Sequence, residues 1–571
     1  MSFRTTPPDL PARRHRRAPR WITAALVGAL GLAPLTLSVA QNVPPSAAEE
    51  SPALVSGGLP GLGDGQGMTI AAERRLGDRI ARDIYRDPDY LDDPVLGDYL
   101  QAIWQPLLAA ARARGDVPPE LSERLAWELM MSRDRRVNAF ALPGGYLGVH
   151  LGLIAATDSA AELGSVMAHE LSHVSQRHIA RLVARQDRLA PWMMGAMILS
   201  ALAARANTEV ASAAMMGSQA VAAQTQLNFS RDMEREADRV GFGVLTGAGF
   251  EGQGFVDMFD KLQQASRLSD DGSFPYLRSH PLSSERMADM RSRLPLDAAN
   301  PARPAVGPLR GAPAPAGRGL TLTLPAGGSP ALNAPAALRS TAPVAPELHP
   351  LMAARARVLA ENGPDRLRGW LRSGQGPQAG PGDRYAAAWA ALRLGQPEQA
   401  LELAQQLRSQ VAPAARWVVD ALLLEVLLTA PPSTGPAAAR RVESLVVLRD
   451  QALAGGGRTL TLLGAQAALA TGEPQRAVTH LQSWVVQHPR DALAWQTLVR
   501  AYQAQGQTLR AIRAEAESRV AQLDYAGAVD RFKAAQAVPA AQRAADPMEL
   551  AIVDSRLRVV EALLRDSVAE E

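Results

Sequence analysis

The chain has no cysteine in its 571 residues. That absence excludes a disulfide framework, a thiolate metal site and the lipidated cysteine of a bacterial lipoprotein, so stability in an oxidising compartment must come from packing. Lysine is nearly absent as well. Lys261 and Lys533 are the only lysines among 60 basic residues, and with alanine, proline and glycine abundant this reads as nucleotide bias rather than function. Aromatic residues make up 5% of the chain. No stripe of basic residues interleaves with them, which leaves no nucleic-acid partner to expect. The net charge of +3 comes from the N-terminus: removing the six arginines and one aspartate of residues 1–40 leaves −2.

That N-terminus reads as an export signal. Arg4, Arg13, Arg14, Arg16, Arg17 and Arg20 precede the apolar run from Trp21 to Ala40, and Ser38-Val39-Ala40 places small residues where cleavage before Gln41 requires them. An uncleaved anchor is the alternative, since the run is just long enough to span a bilayer; Pro34 and the glycines weaken it. The expectation is a signal peptide over 1–40, a flexible mature segment over 41–70 and a periplasmic location. A peripheral contact with a membrane stays open.

The chemistry is concentrated at His169-Glu170-Leu171-Ser172-His173. On an α-helix, residues four apart share a face, so His169 and His173 can offer imidazole nitrogens to one metal ion. Glu170 then sits beside the metal as the base that takes a proton from attacking water, the arrangement of a zinc-dependent peptidase. The run from Ala160 to Ala168 reads as helix, with Leu163, Val166 and Met167 on one face and Val174 extending the stripe.

A catalytic zinc site needs a third protein ligand. In Ser230-Arg231-Asp232-Met233-Glu234-Arg235-Glu236-Ala237-Asp238, Glu234 and Asp238 face the same way and Glu236 points elsewhere. Glu234 is the expected third ligand, with Glu236 as fallback. Asp238 is placed to accept the free N–H of a ligating histidine. A solvated charged face is the alternative for this segment taken alone. Phe140 and Leu142, the Pro143-Gly144-Gly145 turn, then Tyr146, Leu147 and Val149 predict strands beside the catalytic helix, either an ordinary hairpin or an edge that pairs with extended substrate.

HExxH followed about sixty residues later by ExEAD resembles the zinc metallopeptidases typified by the CAAX prenyl protease and HtpX. Two more stretches match: Asn138 to Tyr146 is similar to the family's strand and turn ahead of the catalytic helix, and Ser279-His280-Pro281 with Arg286 to its HP…R element. The resemblance spans Leu76 to Leu294. It implies one Zn2+ held by His169, His173 and Glu234, with Asp238 behind them, and substrate along Asn138, Ala139 and Phe140. It also puts His280 and Arg286 at the active site. Both either stabilise the oxyanion or hold a loop, and a histidine near the fourth zinc position can also keep the enzyme latent. His150 and His178 are expected to be structural or surface residues.

The segment from Pro191 to Gln226 is rich in alanine and methionine, and its apolar core is too short to cross a membrane. It reads as helices packed over the catalytic helix or as a lid whose methionines meet unfolded polypeptide. Residues 296–346 are loaded with proline, alanine and glycine and read as a linker, with a short strand at Leu320–Leu324 and a hinge between two domains implied. Beyond it, Gly472 and Gly506 lie 34 apart, each followed five residues later by alanine, Ala477 and Ala511; Gly395 and Ala400 repeat the pair. Trp495, Leu498, Tyr502, Gly506 and Ala511, with Pro489 before them, resemble tetratricopeptide repeats, degenerate near Pro431 to Pro436.

The expected fold is therefore mainly α: an α+β, zincin-like metallopeptidase domain over 71–295, then an α-helical tetratricopeptide-repeat superhelix over 347–571. Helix pairs of this kind stack into a concave surface that binds peptides or partners, or serve only as a brace. Exported members of the family with such repeats act in outer-membrane protein assembly. The resemblance thus implies an endopeptidase for unfolded or misassembled outer-membrane proteins, with the β-barrel assembly machinery as a partner of the repeats. The alternative is a chaperone or scaffold with a latent zinc site.

Overall fold

The computed structural model describes residues 68–184, 230–268, 274, 276–294, 343–429, 436–540 and 546–568. The expected signal, almost all of the flexible N-terminal segment, the Pro191–Gln226 segment and nearly all of the linker, Leu320–Leu324 included, lie outside these residues. So does most of the degenerate stretch from Pro431 to Pro436. By its contacts the chain divides at Gly65, and everything described belongs to the second unit, Gln66–Glu571.

Helix α1 (Ile70–Tyr85) and strand β1 (Tyr90–Leu91) lead into α2 (Pro94–Ala113), whose start is fixed by Asp93 accepting the Leu96 N–H. Pro94 at its first position has no N–H to lose there. A short α3 (Pro119–Arg124) precedes β2 (Glu128–Ser132), β3 (Ala139–Leu142) and β4 (Tyr146–His150). The sheet order is β1-β2-β4-β3: β2 runs parallel to β4, and β1 and β3 are antiparallel to their neighbours. The turn between β3 and β4 carries Gly144 at φ 76° and Gly145 at φ 87°, a backbone that a side chain would strain. Every residue of β4 is buried, as expected for a strand between two others.

After α4 (Leu151–Ala156), Ser159 caps α5 (Ala160–Ser175) by accepting the Glu162 N–H. This helix carries the HExxH residues and is buried nearly all round, its polar residues Ser165, His169, Glu170 and Ser172 included. A turn at Gln176-Arg177 starts α6 over 178–184. Helix α7 runs over 230–247, followed by α8 (Gln253–Leu268), α9 (Tyr276–Ser279) and α10 (Ser284–Ser292).

The C-terminal part is helical throughout its described residues: α11 (Leu348–Leu359), α12 (Pro364–Gly374), α13 (Pro381–Arg393), α14 (Pro397–Gln410) and α15 (Arg416–Thr429) come first. Then follow α16 (Pro436–Gly455), α17 (Arg458–Ala470), α18 (Pro474–Gln487), α19 (Ala492–Ala504), α20 (Thr508–Ala521), α21 (Tyr525–Gln536) and α22 (Pro547–Val568). Successive helices pack on one another through alanine, leucine and aromatic side chains such as Ala477, Leu498, Tyr502 and Ala511.

One expectation fails here. A hinge between peptidase and helical array does not fit a single buried core that runs from Leu91 through the catalytic helix and on to Leu348, Leu422 and Ala467. Polar groups tie the same seam. Arg355, 1% exposed, meets Asp93 at 2.6 and 2.9 Å, Glu425 at 2.6 Å and the Tyr385 hydroxyl at 3.1 Å. His349 lies 2.5 Å from the Tyr99 hydroxyl and 2.8 Å from the Thr157 carbonyl. Arg458 bridges Asp92 and Asp491. Linker composition reported on flexibility of the connection, whereas docking depends on tertiary contacts that composition does not encode.

Candidate metal centre

The site is built where α5 and α7 come close. Glu234, Asp238 and Gly241 fall four and three residues apart, so they share one face of α7. A Cβ at Gly241 would stand 3.1 Å from the His169 backbone nitrogen. The glycine therefore sets the approach that lets the two carboxylates reach the α5 histidines.

His169 Nε2 lies 3.0 Å from His173 Nε2 and 3.4 Å from Glu234 Oε2, and His173 Nε2 lies 3.5 Å from Glu234 Oε1. His280, beyond α9, adds its Nδ1 at 3.4 Å from His169 Nε2 and 3.0 Å from Glu234 Oε1. One donor atom from each of these four residues falls within 4.8 Å of the others. Zinc bonds of about 2.0–2.1 Å in a tetrahedron put ligand atoms about 3.3 Å apart, so this donor set fits such an ion.

The electrostatics point the same way. Burial opposes charge on His169, but its bonds to Asp238 and Glu234 outweigh burial and push it up to about 10. Burial and then the neighbouring His169 and His280 act on His173, which is held well below the ordinary range. Glu234 is depressed despite burial, through His280 and His169. The carboxylates thus call for positive charge at their centre. Glu170, fully enclosed, is raised by burial; its Oε2 accepts the Ala141 N–H at 2.9 Å and its Oε1 lies 3.4 Å from His280 Nε2.

The structure brings together His169, Glu170, His173, Glu234, Asp238 and His280. Asp238 Oδ1 stands 3.0 Å from His169 Nδ1, leaving Nε2 directed at the cluster. Of the two roles left open for Arg286, stabilising an oxyanion or holding a loop, its surroundings fit the second. Its guanidinium meets Asp238 at 2.6 and 2.8 Å, Glu234 at 3.0 Å and the Pro281 carbonyl at 2.8 Å, so it organises the carboxylates from behind. Among the three expected substrate residues, Asn138 and Ala139 are buried and only Phe140 is partly exposed. What the strand has to offer is backbone: Ala141 directs its N–H away from β4 towards Glu170, so the edge of β3 that pairs with no strand among the described residues faces the catalytic helix.

Two contributors were not singled out from sequence. Gly241 has a legible signal, its place seven residues after Glu234 on the same face. His178, expected to be structural or surface, is 2% exposed and lies 2.9 Å from the ring nitrogen Nδ1 of His173. Glu236 faces His178 and Arg181 at 3.1 and 2.7 Å, away from the donor cluster. His150 is fully buried against Phe140, with Asp134 at 3.7 Å.

The donor set is one that a metallopeptidase would need, and residues 98–294 match the model of peptidase family M48. The chain is 34% identical over 252 residues to the beta-barrel assembly-enhancing protease of Escherichia coli (strain K12), covering 43% of this chain and 48% of that protein. It is 33% identical over 237 residues to the protein of the same name in Yersinia pestis, 41% of this chain and 47% of the relative. Mitochondrial metalloendopeptidase OMA1 of Arabidopsis thaliana is 30% identical over 164 residues, 29% and 31% of the two chains. The match thus spans about half the length of the bacterial relatives.

Proposed function

We propose that this chain is a periplasmic zinc endopeptidase that degrades misfolded or stalled outer-membrane proteins, its C-terminal tetratricopeptide-like helices docking substrate or the assembly machinery. The four-residue donor cluster with Glu170 beside it carries this reading. The names of the bacterial relatives supply the substrate class.

In this reading His169, His173 and Glu234 hold the zinc. A zinc ion held there would acidify a bound water and polarise the scissile carbonyl. Glu170 takes the proton at Oε1 and returns it to the leaving nitrogen, while the Ala141 N–H keeps Oε2 occupied and the carboxylate aimed. An extended substrate adds to the edge of β3 that faces the catalytic helix through main-chain bonds, which makes cleavage broadly tolerant of side chains. His280 stands in the fourth donor position and covers Glu170, so turnover requires its ring to leave.

That last contact supports the second reading, a scaffold for outer-membrane protein assembly with a latent zinc site. Casein hydrolysis separates the two. Glu170→Gln is expected to lower turnover about 10²–10⁴-fold with zinc content unchanged by elemental mass spectrometry; unchanged turnover would remove Glu170 as the base. Wild type that binds zinc but hydrolyses nothing, even as His280→Ala, would favour the scaffold.

A further inference from the structure

The second histidine of the HExxH pair has an anchor of its own. If α5 continued as regular helix, positions 173 and 178 would be rotated about 140° from one another and their rings would not meet. The chain breaks instead. Helix α5 ends at Ser175, Arg177 adopts φ 53°, and helix resumes at 178. A non-glycine residue in the left-handed region is strained and persists only where its surroundings impose it. Here Arg177 Nε is tied to the buried Glu73 carboxylate at 3.0 Å. The result of this turn is that His178 Nδ1 lies 2.9 Å from His173 Nδ1 and His178 Nε2 lies 3.1 Å from Glu236 Oε2.

We propose that His178 and Glu236 form a positioning relay that fixes the tautomer and ring orientation of His173. The assignment follows atom by atom, because a neutral imidazole carries one N–H and a carboxylate only accepts. Glu236 accepts from Nε2–H of His178. His178 Nδ1 is then bare and accepts from Nδ1–H of His173. His173 Nε2 is therefore left with its lone pair, directed at His169, Glu234 and His280. Arg181, 2.7 Å from the same Glu236 oxygen, holds the carboxylate in place. His169 reaches the same state through Asp238, so the two histidines of one helix are set by carboxylates from two faces of α7.

This inference rests on the reading of His169, His173 and Glu234 as zinc ligands, and the test separates the two. Zinc dissociation constants are measured by chelator competition for wild type, His178→Ala, His178→Gln and Glu236→Gln, alongside thermal unfolding of each metal-free protein. His178→Ala is expected to weaken zinc about 10–100-fold, His178→Gln to recover part of the loss because its amide oxygen can accept, and Glu236→Gln to weaken zinc less. Imidazole nitrogen shifts of wild type should report Nδ1–H at His173. Equal affinity in His178→Ala and wild type, both binding about one zinc, would overturn the relay alone. Wild type without zinc would overturn both readings. Should His178→Ala fail to fold, Glu236→Ala, which removes the acceptor altogether, decides: weakened zinc supports the relay and unchanged zinc overturns it.

Discussion

Arg286 and Arg355 are both buried, and each is clasped by two carboxylates, Asp238 and Glu234 in one case and Asp93 and Glu425 in the other. What lies behind the carboxylates differs. Asp238 and Glu234 reach on to the His169 ring, so the charge that Arg286 neutralises is shared with a site for a cation. Asp93 ends in the Leu96 N–H at the start of α2, and Arg355 continues to the Tyr385 hydroxyl and the Trp389 ring. The same ion-pair chemistry thus builds a metal centre in one region and a staple in the other. The lesson is that burial of charge does not mark function by itself; the partners' remaining lone pairs do.

Exchange of each arginine for methionine is the largest way to break the comparison. Arg355→Met leaves two carboxylates buried without their cation and is expected to cost about 3–5 kcal/mol. Because they share one core, the peptidase and the first array helices, α11 to α16, should unfold in one denaturant transition. Arg286→Met should cost less in stability, since His169 and the metal share the charge, but should weaken zinc about 10–100-fold. Calorimetry and chelator competition on the two variants read the two effects. A large stability loss at Arg286 with zinc affinity intact would erase the distinction.

Buried histidines sharpen it. His150, beside the sheet, is lowered to about 4 by burial, which Asp134 only partly offsets. Burial also lowers His349 at the seam, where the Thr157 carbonyl opposes the shift. A depressed histidine stays neutral when folded, whereas the unfolded chain takes up a proton near pH 6.5. The unfolded state then binds more protons, so stability is fully present above pH 6.5 and lost as pH falls towards 4. For His150 the loss is on the order of 3 kcal/mol. Urea unfolding of wild type and His150→Gln at pH 7 and pH 5 should show a smaller acid loss in the variant, and parallel losses would remove His150 as the source.

The sequence carried the local part of the site well. His169, His173, Glu234 and Asp238 are related by helical period within two segments, and period is what a sequence displays. His178 was hidden because its meeting with His173 depends on one left-handed residue, Arg177, which no composition or spacing announces. Arg286 lay near the site by motif, but the direction of its guanidinium depends on α7 and not on its own neighbours. The seam was misread for the same reason: Asp93 and Arg355 are 262 residues apart, and only the fold pairs them. Spacing in the array marked Gly506 and Ala511 but not how far the array's first helices enter the peptidase core.

The smallest effect uses two glycines of the array. Gly369 lies inside α12 and Gly506 in the turn after α19, and a Cβ added at either would meet nothing within 4 Å. Space is therefore equal, and only backbone conformation separates them. Gly369 has helical neighbours on both sides, so Gly369→Ala restricts the unfolded chain and should stabilise by about 1 kcal/mol. Gly506 sits at φ 70°, so Gly506→Ala forces a side chain into the left-handed region and should destabilise by about 1–2 kcal/mol. The sign should reverse between them in thermal unfolding. Equal signs would mean that the turn at Gly506 can relax, and that the repeat spacing of its glycines is set by something other than backbone strain.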